Sequence, residues 1–286
     1  MCGIAGFSLV PDHRFDAEAF ARVLLAGIAE RGRDATGWAY RTPNSHITVH
    51  KDSKPLAEMI EHTDIPHDAT EVILHVREYT KGIPGINDNN HPVRWGRVVG
   101  VHNGHLENDD ALFEQFGAQR STPQISVDSE AIMMLTDTLD CAGRALETVR
   151  GSAAVALLHD ERPGHVTLAR RTRRPLVLGV FADGLLFAST REAIELVARG
   201  ARLDVDYEDV TDGTVIEVRA GREVERRRFS VDYRYPGTKL TPYPPLAAKD
   251  RLVHYALAGL DADDAPAPKT PRARRAVRYR AAPQSP

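Results

Sequence analysis

Short apolar and β-branched runs alternate along the chain with stretches whose apolar residues recur at helical spacing. Ile4 to Leu9, Ile47 to His50, Val72 to Val76, Val98 to Val101, Ala153 to Leu158, Leu176 to Phe181, Leu185 to Ala188 and Val215 to Val218 are bounded by turn residues and predict strands. Phe20, Val23, Leu24, Gly27 and Ile28 share one helical face, with Asp16 placed to cap its start and Gly32 to stop it. A longer helical stretch runs from Ser129 to Val149, with Ile132, Met133, Leu135, Thr136 and Leu139 on one side and Gly143 as a candidate break. A short helix is predicted from Ala247 to Leu257. Many short strands with a few covering helices imply packed sheets flanked by helices.

The end of the chain follows neither period. Residues 265–286 hold Lys269, Arg272, Arg274, Arg275, Arg278 and Arg280, five prolines and no acid. Large apolar groups are too few there to repay ordering, so this basic tail is expected to be disordered. The whole chain of 286 residues carries 37 basic and 40 acidic groups; without the six tail cations the rest stands at −9. An acidic body argues against general polyanion binding, and leaves nucleic-acid contact to the tail alone. The segment from Tyr235-Pro236-Gly237 to Pro242-Tyr243-Pro244-Pro245 marks a second break. The expected organisation is a domain over residues 2–235, a proline-rich break and short helical extension over 236–264, and the tail.

Two cysteines, Cys2 and Cys141, are too few for a secreted disulfide framework, which points to a reducing compartment. With no long apolar run and no signal-peptide pattern, the expectation is a soluble, cytoplasmic protein without membrane contact. Cys141 falls in a helical stretch and is expected to be core or half-buried. His75, His91, His102 and His105 lack metal-ligand spacing and neighbouring carboxylates, so no metal is predicted. There is no Gly-x-Ser-x-Gly elbow, phosphate loop or dinucleotide fingerprint, and no cofactor is expected.

The chemistry that remains begins at Cys2, behind the initiator methionine and ahead of an apolar strand. Removal of Met1 would give Cys2 a free α-amine. An α-amine ionises near pH 8, against about 10.4 for lysine, so about a tenth of it is free base at neutral pH and can take the proton of the adjacent thiol.

Polar clusters follow in order: Arg31-Gly32-Arg33-Asp34-Ala35-Thr36-Gly37, His75-Val76-Arg77-Glu78-Tyr79-Thr80-Lys81-Gly82, Asn90-His91-Pro92, Val101-His102-Asn103-Gly104 and Asp128-Ser129-Glu130. With the N-terminal cysteine they resemble the class II glutamine amidotransferases, the N-terminal-cysteine branch of the N-terminal nucleophile hydrolases. The resemblance extends to about Val218 through Arg174-Pro175-Leu176-Val177-Leu178-Gly179 and Phe187-Ala188-Ser189.

That resemblance implies an α+β fold, a four-layer αββα sandwich of two mostly antiparallel sheets. It also implies attack of Cys2 on the side-chain amide of L-glutamine, with an oxyanion hole from the Asn103 amide and the Gly104 backbone N–H. Arg77, helped by Thr80, would hold the substrate α-carboxylate, and Asp128 the α-ammonium. Arg31 and Asp34 would shape the loop supporting Cys2, and His91-Pro92 a structural turn. Glu78 departs from the pattern, because sugar-amidating relatives usually carry an aromatic residue there. About 60 residues follow this region, too few for a phosphoribosyltransferase, sugar isomerase or asparagine synthetase domain, so a separate synthetase or ligase is expected to take the ammonia. A hydrolase of another γ-glutamyl or small amide, and a catalytically silent regulatory module on the same fold, are the alternatives.

Overall fold

The computed structural model describes residues 2–43, 45–235 and 246–260. The basic tail and the Tyr235–Pro245 break, apart from Tyr235, lie outside these residues. The strands are β1 (Gly3–Leu9), β2 (Ala35–Arg41), β3 (Thr48–Asp52), β4 (Glu71–Arg77), β5 (Val93–Trp95), β6 (Val98–Leu106), β7 (Gly151–His159), β8 (His165–Thr172), β9 (Val177–Phe181), β10 (Gly184–Ala188), β11 (Asp206–Asp209), β12 (Thr214–Arg219) and β13 (Arg222–Arg228). The helices are α1 (Ala17–Ile28), α2 (Leu56–Met59), α3 (Asp109–Gln115), α4 (Glu130–Leu139), α5 (Ala142–Thr148), α6 (Arg191–Gly200) and α7 (Ala248–Leu257).

One sheet has the order β11-β9-β10-β1-β4-β2-β3 and the other β13-β12-β8-β7-β6-β5. Neighbouring strands pair antiparallel, as in the Gly3 to Val76 register of β1 with β4 and the Asn103 to Ala154 register of β6 with β7. Three apolar layers separate the elements. Phe7, Leu74 and Val76 pack against Phe20 and Leu24 of α1, Ile194 and Val197 of α6 and Tyr255 of α7. Val98, Val155 and Ala169 pack against Ile132, Met133 and Leu135 of α4 and Ala145 and Leu146 of α5. Between the sheets, Ile4, Ile73, Leu185 and Phe187 meet Val99, Val101, Ala154 and Leu168. This is the expected four-layer sandwich. The middle strands are buried on both faces, which is why they read as unbroken apolar runs.

Asp16 caps α1 as its sequence predicts, its carboxylate accepting from the N–H groups of Glu18 and Ala19. The Ser129–Val149 stretch is two helices, and the break lies at Asp140, which takes a left-handed φ of 49°. Gly143, the residue expected to divide it, lies within α5. At the far end of the sandwich, Arg41 and Glu71 form a buried ion pair at 3.3 Å. Arg41 also donates to the His159 carbonyl, and Glu71 accepts from the Gly164 N–H, so the pair ties the two sheets together.

Candidate active site

Strand parity sets which side chains enter the space between the sheets. Ile4 faces that space, so Cys2, two residues earlier, has the same parity. Ile73 does too, which puts His75 and Arg77 on the inner face of β4. On the opposite sheet Val99 and Val101 point inward, and Asn103 and His105 continue their row. Pairing of Gly3 with Val76 brings Cys2 beside the Arg77 end of β4. One end of the inter-sheet layer therefore collects the thiol, a guanidinium and a carboxamide.

Cys2 is 8 % exposed and its Sγ donates to the Glu78 carbonyl at 3.4 Å. Burial raises the thiol's pKa, with the Asp128 charge adding to it and Arg77 and Arg31 opposing it. The Arg31-Gly32-Arg33-Asp34 loop holds this arrangement from behind. Arg31 Nε donates to the Cys2 carbonyl at 3.0 Å, and Asp34 accepts from the Tyr79 N–H at 2.6 Å while its own N–H donates to the Arg77 carbonyl at 2.9 Å. Gly32 sits so close to Arg77 that a Cβ would lie 2.4 Å from the Arg77 carbonyl carbon. Any side chain there would push the two segments apart. The sequence pattern alone assigns Gly32 only the role of a helix stop.

Arg77 is 2 % exposed, and its Nη atoms donate to Asn90 Oδ1 and to the carbonyls of Lys81 and Gly82. It thus organises the loop after β4 as well as charging the site. Thr80 lies on the exposed part of that loop. Lys81 anchors the loop outward through Asp109 at 2.7 Å and Asp110 at 2.9 Å.

Asn103 is 1 % exposed and its Nδ2 has no hydrogen-bond partner among the described residues. A buried amide donor left open costs free energy, which a ligand oxygen placed there would recover. Gly104 follows, where a Cβ would lie 1.9 Å from the Ser152 carbonyl oxygen, so only glycine fits this register. Asp128 is 2 % exposed; its carboxylate accepts from the Leu106 N–H at 2.6 Å and stands 3.5 Å from His105 Nδ1. It does not cap α4, whose N-cap is Ser129.

Behind this face lies a cluster of three histidines around Ser129. His91 Nε2 and His102 Nδ1 both meet Ser129 Oγ at 2.8 Å, while His102 Nε2 meets the Ser152 carbonyl and His75 Nε2 the His102 carbonyl, each at 3.2 Å. Carbonyl oxygens only accept, so His75 and His102 carry their protons on Nε2. His102 Nδ1 then accepts from the Ser129 hydroxyl, which in turn accepts from His91 Nε2. All three rings are neutral. Burial, helped by Arg77, drives His75 down to about 3, and burial also lowers His91 and His102. None is a base suited to a thiol at neutral pH. His91 begins the turn through a cis bond to Pro92.

These rings make the fold acid-sensitive. A histidine kept neutral in the folded state takes its proton only in the unfolded chain, so stability is lost as pH falls below about 6.5. For His75 this amounts to about 2 kcal/mol between pH 7 and pH 5. Glu71, pushed up to about 7 by burial, has the opposite sign and offsets a similar amount over that window. His91 and His102 carry the remaining loss. The urea midpoint is therefore expected to be lower at pH 5 than at pH 7, and an equal or higher midpoint at pH 5 would contradict the neutral cluster.

A family profile described as "Glutamine amidotransferase domain" matches residues 82–196. The glutamine–fructose-6-phosphate aminotransferase (isomerizing) of Thermus thermophilus is 30% identical over 265 residues, 87% of this chain and 42% of the relative. The protein of the same name from Bacteroides thetaiotaomicron is 27% identical over 245 residues, 79% of this chain and 37% of the relative. The chain carries a glutamine amidotransferase domain homologous to class II glutamine amidotransferase domains. The chain spans about two fifths of the length of the aminotransferases it matches. Among solved structures, the allosteric regulatory enzyme of purine biosynthesis superposes with a TM-score of 0.66 at 22% identity, over 81% of this chain and 50% of that one. Glutamine phosphoribosylpyrophosphate amidotransferase from B. subtilis gives 0.65 with the same identity and coverage. Both share the amidotransferase fold.

Within this amidotransferase domain, Asn90, Ser129 and Ser189 fall in the sequence motifs but receive no role from them. Asn90 holds Arg77, and Ser189 Oγ accepts from the Ile4 N–H at 3.0 Å, fixing the start of β1. Among the described residues no group of ligands fits a metal, and no helix is long and apolar enough to cross a membrane.

Proposed function

We propose that this domain hydrolyses the side-chain amide of L-glutamine through Cys2 and supplies the ammonia to an acceptor enzyme outside the described fold. The observation that carries the reading is the open, buried Asn103 Nδ2 on the inner face that Cys2 also shares. In the proposed sequence Met1 is removed and the freed α-amine of Cys2 takes the thiol proton. The sulfur attacks the amide carbon, and the oxygen gathers negative charge beside Asn103 Nδ2 and the Gly104 N–H. The C–N bond then breaks, the proton passes to the leaving nitrogen, and ammonia departs. Water cleaves the remaining γ-glutamyl thioester to glutamate and returns the thiol.

A base of this kind suits the surroundings. The thiol is buried and protonated, and the nearby imidazoles are too weakly basic to activate it. Arg77 and Asp128 provide one charge of each sign for a free amino acid. A substrate carboxylate would take over Arg77 donors from the Lys81 and Gly82 carbonyls, since a charged acceptor makes the stronger bond.

Intact-mass analysis after incubation with an electrophilic glutamine analogue tests this directly. The expected product lacks Met1 and carries one adduct, at Cys2, and glutamine in excess slows its formation. Labelling at Cys141 alone, or full labelling of protein that retains Met1, would refute the mechanism.

A further inference from the structure

Away from Cys2, a cavity of about 290 Å³ opens between β3, the turn before β5, β5 itself and the loop that leads to α4. Lys51, Asp88, Arg94, Trp95, Thr122 and Ile125 line it. Lys51 comes from β3, and burial holds its ammonium down to about 8. Two of its protons go to the carbonyls of Asn90 at 2.8 Å and Asp88 at 3.3 Å. An ammonium has three, so among the described residues one donor remains. Arg94, on β5, adds a second cation whose Nη1 is paired with Asp160 at the surface. Asp88 is the one acid in the wall, and its carboxylate accepts from the Thr122 hydroxyl at 2.8 Å. Trp95 and Ile125 give the cavity an apolar side.

The turn that Lys51 grips is also the rear wall of the glutamine site. Asn90 Oδ1 accepts from Arg77, and Asn90 Nδ2 donates to the Pro84 carbonyl and Ser53 Oγ. Asn89 Oδ1 accepts from the N–H groups of Ser126 and Val127, directly before Asp128. Three consecutive residues thus connect Lys51 on one side with both substrate-charge residues on the other.

The geometry points to a regulatory site in this cavity for a small organic or phosphate anion. The anion would span Lys51 and Arg94, rest its apolar part on Trp95 and Ile125, and change the affinity of the amidotransferase site for glutamine through Asn89 and Asn90. The coupling part rests on the function proposed above. The differential contact is the Lys51 ammonium: an anion competes with the Asp88 and Asn90 carbonyls for its protons, and that releases the turn holding Arg77. By linkage, glutamine must alter anion affinity by the same factor.

The chain has two tryptophans, and Trp38 is buried in a core at 1 % exposure, so Trp95 reports on the cavity. Full-length protein is titrated with inorganic phosphate and, separately, with succinate, at ionic strength held constant with sodium chloride, while tryptophan fluorescence is followed. One of the two anions is expected to give a saturable change that is absent in Trp95→Phe and at least about ten-fold weaker in affinity in Lys51→Met. Phosphate alone identifies a phosphoryl ligand, and succinate alone a carboxylate. In Cys2→Ala protein, which keeps glutamine intact, saturating glutamine is expected to shift the anion Kd by about five-fold or more. Lack of saturation with both anions, an equal response to chloride, or an unchanged Kd in Lys51→Met overturns the site. An anion Kd indifferent to glutamine, in protein that calorimetry shows to bind glutamine, overturns the coupling. Calorimetry without glutamine binding counts against the proposed function, whereas the Lys51-dependent anion response is judged on its own.

Discussion

Cys2→Ala is expected to lower glutamine hydrolysis on the order of 10⁴-fold or more while leaving glutamine binding and the fold in place. The size follows from what is lost. Without sulfur no thioester forms, and water must attack the amide with only an oxyanion site and two substrate charges to assist. The fold has little at stake at this side chain. Arg31 bonds the Cys2 backbone carbonyl, which alanine retains, and the thiol makes one long contact, to the Glu78 carbonyl. Thermal unfolding should therefore stay within about 1 kcal/mol of the parent. Ammonia release in a coupled assay, glutamine binding by calorimetry and the unfolding midpoint separate these quantities. Retained hydrolysis within ten-fold of wild type would remove Cys2 from the mechanism. A block on Met1 removal should reproduce the loss with the sulfur still present, because the α-amine is then an amide and cannot accept a proton.

The same local view explains which parts of the fold can be read from the chain. Ile4–Leu9 and Val72–Val76 are legible because layers cover both faces of their sheet, so nearly every position is apolar. The strands β8 and β13 escape a sequence reading for the opposite reason. In β8 the half-buried Thr167 and Arg170 interrupt buried Val166, Leu168 and Ala169, and β13 has no buried residue, being held by its ladder to β12 and by pairs such as Arg226 with Glu223. Gly143 is the expected break in the long helical stretch, but the left-handed turn forms at Asp140, a residue that tolerates it less often than glycine. At the candidate site, Cys2, Asn103, Gly104 and Asp128 stand out because each belongs to an ordered run of motifs. Asn90 and Ser129 lie in the same runs, but membership alone gives them no role. Their partners lie 13 residues away, in Arg77, and 27 and 38 away, in His102 and His91, and only the packing of the sheets and α4 decides that they meet.

Asn103 offers the test that separates a catalytic donor from a structural one. A buried polar side chain usually stabilises the fold through its bonds, and removing it then costs stability. Asn103 Nδ2 makes none in the described structure. Asn103→Ala should therefore leave the unfolding midpoint nearly unchanged, and can raise it by relieving an unpaired buried donor. Turnover should still fall by about 10² to 10³, the equivalent of roughly 2.7–4 kcal/mol of transition-state stabilisation, because the donor meets the oxygen only once negative charge develops on it. The loss should appear in kcat, with KM within a few-fold, since the neutral amide oxygen of the ground state gains much less from it. Asn103→Asp sharpens the comparison: the volume is kept, but an acceptor replaces the donor beside a growing negative charge, so kcat should drop at least as far. If instead both variants unfold early and those that remain folded turn over at the wild-type rate, the open amide is a packing feature and the oxyanion must be held elsewhere.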